Sequence, residues 1–274
     1  MDNEKEIQAE LNSLFESDVK EFSRNGAYHF GKYLRFSENE TPQARFEVLM
    51  RYSPKGEPIY KWDPEVAGPT CWAAYIPHYN GAANILFGVY EKALSKFTRA
   101  HEMCHKITHS YICPKDSDIP LTQLIGLGEL QLTQIDSDGK QVACPKNEKG
   151  TALNEGATNL IAEKLSGENY VDGMDKYGLE TSIARQLISI VGEDTFFSAV
   201  FRSPNILRNK VDNIAGKGCY DILITSLDKY RELDDEFIKD KNNVNIQNQR
   251  NEIMKSMQQG LQNLKLLVSN VKAM

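Results

Sequence analysis

His101-Glu102-Met103-Cys104-His105 sets two imidazoles four positions apart, with a carboxylate directly after the first. Around it, Tyr90, Ala93, Leu94, Phe97, Ala100, Cys104 and Ile107 recur at three- and four-residue steps. That spacing predicts a helix starting near Glu91 with one buried face. Residues four apart on a helix lie one above the other, so His101 and His105 project from the same side, one turn apart. Two imidazoles so placed can each give a ring nitrogen to one tetrahedral ion. Glu102 points in a neighbouring direction, where it reaches a water beside the ion without being a ligand, the place of a general base. On a solvated helix face the same residues would do nothing. The chain holds just five His, however, and this helix is apolar enough to be buried, where a His pair needs partners.

Leu153-Asn154-Glu155-Gly156-Ala157-Thr158 supplies a third candidate ligand. It follows a turn signal at Lys149-Gly150 and opens an apolar-periodic stretch (Ala157, Leu160, Ile161, Leu165) that stops at Gly167. With Asn154 as the N-cap, Glu155 falls in the first helical turn, where the helix dipole favours its charge. An acidic residue in a first turn is also commonplace, so Glu155 gains weight only from the motif upstream.

H-E-x-x-H followed by a helix opening with N-E-G resembles the gluzincin metallopeptidases, among them thermolysin and the zinc aminopeptidases. The likeness covers two short motifs and their order. Fifty positions separate His105 from Glu155, longer than in those relatives, so the segment between reads as an insertion. The stretch Leu160 to Phe201 is similar to uncharacterised putative peptidases of low-GC Gram-positive bacteria. The resemblance implies one Zn2+ per chain held by His101, His105 and Glu155, with Glu102 as base in the hydrolysis of a peptide bond. It implies a donor to the oxyanion from the C-terminal half, with Tyr177 and Tyr170 as candidates and Arg185 and His109 behind them; either Tyr is equally well explained as core. It implies that Asn159, four positions after Glu155, orients a ligand His through its free ring N–H. It also implies a strand before the metal helix that edges the cleft and pairs with extended substrate. Ala82 to Phe87 fits, with Ala82, Asn84 and Leu86 as substrate-binding positions, and so does Cys71 to Ile76. Other classes stay open: a regulatory module that keeps zinc for structure, a peptidase-like domain without turnover, or a toxin-type protease with one protein target. Glu102 argues against a structural site, which needs no base.

These groups need a scaffold, and 274 residues with 41% hydrophobic and 26% charged content suffice for one large or two modest soluble domains. The fold expected is α+β, zincin-like (thermolysin-like), as a single catalytic domain over 1–274. A mixed half, 1–150, carries a small sheet and the metal helix; a mainly helical half, 151–274, supplies Glu155, and the cleft runs between them. The net charge of −6 gives no footprint for nucleic acid, and no apolar run spans a bilayer. The polar start Met1-Asp2-Asn3-Glu4 is no signal peptide, so the expected compartment is the cytoplasm, or the exterior if a leader has been removed. The partner is a peptide or protein substrate; oligomeric state is not legible. Cys113 and Cys144 flank the insertion and could pair in an exported protein, or stay reduced in the cytosol.

Along the chain, residues 4–23 read as an amphipathic helix through Ile7, Leu11, Leu14, Phe15, Val19 and Phe22. Tyr28–Phe30, Tyr33–Phe36 and Ala44–Tyr52 read as strands, the last with helix as its alternative. His29 and His78 read as structural or loop residues. Residues 70–88 form a hairpin about Asn80-Gly81. A second hairpin, Leu130–Ile135 and Gln141–Cys144, lies in the insertion and could close over the cleft; Asp118, Asp136 and Asp138 read as turn residues. Helices follow over 179–201 with a break at Gly192, over 205–232 and over 251–271, with a polar surface loop at 233–250.

Overall fold

The computed structural model describes residues 2–34, 38–53, 57–66, 73–77, 83–112, 121–132, 148–169 and 177–272. Tyr170, Ala82, His78, Cys113, Cys144, Asp118, Asp136, Asp138 and most of the second expected hairpin lie outside these residues. The chain divides into two compact units, residues 1–125, 130–147 and 158–176 in one, and 126–129, 148–157 and 177–274 in the other.

The first unit opens with α1 (Asp2–Phe30), which buries Ile7, Leu11, Val19, Phe22 and Phe30. The strand expected at Tyr28–Phe30 is therefore corrected, since α1 runs to Phe30; of the strand expected at Tyr33–Phe36, Tyr33 lies in a 3-10 turn (Gly31–Tyr33), and residues 35 and 36 lie outside the described residues. Phe30 and Tyr33 pack as helix and turn residues, because burial overrides weak local propensity, while Tyr28 is exposed. Gly26 allows the packing, since a Cβ there would lie 2.9 Å from the Phe46 ring of α2 (Pro42–Arg51). Helix is thus the correct alternative for 44–52, and Thr41 caps it by accepting from the Ala44 N–H at 3.1 Å, with Pro42 next.

β1 (Tyr60–Trp62), β2 (Ala73–Pro77) and β3 (Ala83–Phe87) form a sheet in the order β1-β3-β2. β2 and β3 pair antiparallel from Ala73↔Phe87 to Pro77↔Ala83, as the expected hairpin requires. β3 also pairs in parallel with β1, from Tyr60↔Ile85 to Trp62↔Phe87. This overturns β3 as a substrate-binding edge: its backbone is engaged on both sides. Asn84 is buried and donates to the Pro58 carbonyl at 2.9 Å, and Leu86 lies between Lys61 and Ala74 in the ladder. The outer side of β1 is occupied by the Gln8 amide, which donates to the Tyr60 carbonyl (2.8 Å) and accepts from the Trp62 N–H (3.0 Å). Among the described residues, β1 and β2 are the edge strands of this sheet.

The expected helix from Glu91 is two helices. α3 (Tyr90–Leu94) stops at Ser95, whose hydroxyl accepts from the Thr98 N–H at 3.3 Å and caps α4 (Lys96–Thr108). β4 (His109–Ile112) follows directly and pairs antiparallel with β5 (Leu121–Ile125).

β6 (Gly128–Leu132) and β7 (Glu148–Lys149) precede α5 (Thr151–Ser166), an unbroken helix whose residues to Ala157 count with the second unit and the rest with the first. The second unit continues with α6 (Gly178–Val191) and α7 (Glu193–Arg202), broken as expected at Gly192, where φ is 90°. Then come α8 (Asn205–Ala215), α9 (Cys219–Lys239) and α10 (Val244–Lys272). The polar loop expected at 233–250 is corrected to the short link between α9 and α10. Its polar sequence is helical because Arg250 lies over the Tyr230 and Phe237 rings and pairs with Asp234, tying α10 to α9. The described molecule is mainly helical with two small sheets, β1-β3-β2 and β4-β5-β6-β7, an α+β composition. No helix among the described residues is long and apolar enough to cross a membrane.

Candidate metal centre

α4 is buried on every side from Arg99 to Thr108, so each polar side chain it carries must be satisfied. Arg99 is held by Asp18 of α1, at 2.5 Å from Nε to Oδ2 and 3.1 Å from Nη2 to Oδ1, while its Nη1 donates to the Ala93 and Leu94 carbonyls. The Tyr60 hydroxyl donates to the same Asp18 carboxylate at 2.9 Å. Burial lifts the Asp18 carboxyl above its ordinary range, against the downward pull of Arg99. This buried, two-pronged pair anchors the helix two residues before His101. Lys106, buried one residue beyond His105, donates to the Tyr52 carbonyl.

His101 and His105 lie one turn apart, with ring centroids at 5.0 Å and their Nε2 atoms at 3.3 Å. His101 Nδ1 is 2.7 Å from Asn159 Oδ1 on α5. An amide oxygen only accepts, so Nδ1 carries the proton and Nε2 is left with its lone pair, as a metal ligand requires. The His105 ring stacks on Tyr75 of β2, at 6.1 Å between centroids and 29° between planes. The Tyr75 hydroxyl meets His109 Nδ1 at 2.5 Å. Burial, with Lys106 and His105 nearby, pushes His109 down to about 3, so it is neutral at any ordinary pH. Tyr75 and the Asp18–Arg99 pair are absent from the sequence expectations. Only the helix periodicity around Arg99, which makes that residue buried, could have announced one of them.

Glu155 completes the group. One ligand atom each from His101, His105 and Glu155 lie within 4.8 Å of one another, and this trio could hold a metal ion. For a tetrahedral ion with Zn–N bonds of about 2.0–2.1 Å, two nitrogens stand about 3.3–3.4 Å apart. The Nε2 separation of 3.3 Å fits that figure, and two imidazoles with one carboxylate are a donor set suited to zinc.

The N-E-G triplet owes its sequence to three different neighbours. α5 begins at Thr151, so Asn154 is not its N-cap and Glu155 lies beyond the first turn. Asn154 is buried, and its Oδ1 accepts from the Leu127 N–H at 3.0 Å. The cap comes from Asp228 of α9, whose carboxylate accepts from the Gly150 N–H (2.7 Å) and the Ala152 N–H (2.9 Å). At Gly156 a Cβ would lie 2.2 Å from the Glu180 carbonyl of α6, so the α6 backbone sits directly on α5. Glu155 itself faces Arg231 of α9, with Oε1 at 3.5 Å from Nη1. Tyr177, just before α6, accepts from Arg231 Nη2 at 3.3 Å and lies under the guanidinium at 4.8 Å. Arg185 is exposed on α6. Glu102 is buried on α4, next in the chain to His101. No family model, curated protein or solved structure matches this chain.

Proposed function

We propose that the chain is a zinc-dependent metallopeptidase that hydrolyses peptide bonds. The observation that carries this reading is the convergence of His101, His105 and Glu155 donor atoms within 4.8 Å, with Glu102 adjacent to the first ligand. Zinc, when bound there, supplies Lewis acidity toward a substrate carbonyl and toward water. Glu102 accepts a proton from the attacking water and returns it to the leaving amine. Asn159 and Tyr75 hold the two imidazoles in their ligating attitudes from opposite neighbours, an amide on one ring edge and a phenol on the other ring face. Tyr177 donates from its hydroxyl to the oxygen on which charge develops. The substrate backbone adds to β2, an edge strand whose Tyr75 already lies against His105.

The test is elemental analysis of protein purified without added metal, together with cleavage of a peptide library. One zinc per chain is expected, lost in His101→Ala and Glu155→Ala. Glu102→Gln should retain zinc and lose cleavage. Unchanged metal content in both ligand variants sinks the ligand assignment, and full cleavage by Glu102→Gln sinks the mechanism.

A further inference from the structure

We propose that Arg231 is the positioning residue for the third ligand, aiming the Glu155 carboxylate at the ion; this rests on the reading of Glu155 as a ligand. Glu155 projects from α5 as a side chain with three rotatable bonds, and a ligand that is not held must be ordered when the ion arrives. Two residues of α9, one turn apart, act on α5. Asp228 accepts from the N–H groups of Gly150 and Ala152 and fixes where the helix starts. Arg231 then stands 3.5 Å from Glu155 Oε1.

The guanidinium is itself immobilised. Its face rests on the Tyr177 ring at 4.8 Å, and Nη2 donates to the Tyr177 hydroxyl at 3.3 Å. Its Nη1 is buried and makes no hydrogen bond among the described residues. At 3.5 Å it attracts the carboxylate by charge and direction without closing a full hydrogen bond. By charge alone a fixed cation opposes a second cation nearby. Position and charge thus predict opposite effects on metal affinity, and the sign of the effect separates them.

The experiment uses metal-free full-length protein and Co2+ as the probe, with affinity from chelator competition, the visible spectrum as a report on coordination, and thermal unfolding of each metal-free form. Arg231→Met should bind Co2+ about ten- to a hundredfold more weakly and change the spectrum, the usual effect of losing a group that orients a ligand. Arg231→Lys should recover part of the affinity. In the Glu155→Ala background, Arg231→Met should cause no further loss. Affinity equal to or tighter than wild type in Arg231→Met overturns the positioning role. So does a loss of the same size in the Glu155→Ala background, because Arg231 then acts on the fold and not through the ligand. Wild-type affinity in Glu155→Ala is a different failure, that of the ligand reading itself.

Discussion

At the scale of single residues, the candidate centre is built from side chains with one geometric task each. Asn159 accepts from Nδ1 of His101 and leaves its Nε2 lone pair for an ion; Tyr75 supports the His105 ring; Glu102 is next in the chain to the first candidate ligand. Tyr177 has two separable tasks. Its ring carries the Arg231 guanidinium, and its hydroxyl is the candidate donor to a developing oxyanion. Tyr177→Phe keeps the ring and removes the hydroxyl. We expect kcat to fall about ten- to a thousandfold with little change in KM, since the donor acts only once charge has developed on oxygen. Co2+ affinity should fall far less than in Arg231→Met, because the stacking survives and only the 3.3 Å bond from Arg231 Nη2 is lost. Steady-state kinetics beside a metal titration check both; full kcat in the Phe variant removes Tyr177 from the chemistry and leaves it as the support of Arg231.

At the scale of elements, α5 shows why one glycine matters. A Cβ on Gly156 would meet the Glu180 carbonyl at 2.2 Å, and this is α6 backbone, not the end of a flexible side chain. Gly156→Ala should destabilise by about 2 kcal/mol or more through overpacking. It should also weaken metal binding, because the strain falls one residue from Glu155. Gly260→Ala is the control: it lies within α10 with nothing within 4 Å of its Cβ, and should be neutral or stabilising by about 0.5–1 kcal/mol. Denaturant midpoints distinguish the two. The two helices that carry the candidate ligands were legible in the sequence because their signals are local: i, i+4 spacing for the His pair, and a periodic run ending at Gly167. Their supports were not. Asp18 grips Arg99 from 81 positions away, and Asp228 caps α5 from 78 positions away, where local preference alone points to Asn154 as the cap. The edge assignment failed for the same reason. Ala83–Phe87 follows a turn signal as an edge strand would, but it is a nearly continuous apolar run whose second partner is β1, more than twenty residues upstream.

At the scale of the whole molecule, global stability should carry the signature of a buried carboxyl near the third ligand. Glu180 is 3% exposed, and burial raises its carboxyl to about 7, with Arg231 pulling it down and Asp234 and Glu155 pushing it up. The usual value is 4.5. Between these values the folded chain holds a proton that the unfolded chain has released, so the stability due to Glu180 is fully present below pH 4.5 and is lost as pH rises through about 7. The full swing is about 3 kcal/mol as an order of magnitude. Glu180→Gln removes the ionisation while keeping the shape. Thermal unfolding of metal-free protein from pH 4.5 to 8 should then show wild type losing stability relative to Glu180→Gln across that window. The variant should be the more stable by the largest margin near pH 8. A difference between the two proteins that stays constant with pH would mean that Glu180 ionises in the folded state much as it does in the unfolded chain. Arg231 would then have to offset the burial of both Glu155 and Glu180 in full. A difference that goes on widening above pH 7 would place the folded value higher and leave burial as the cause intact.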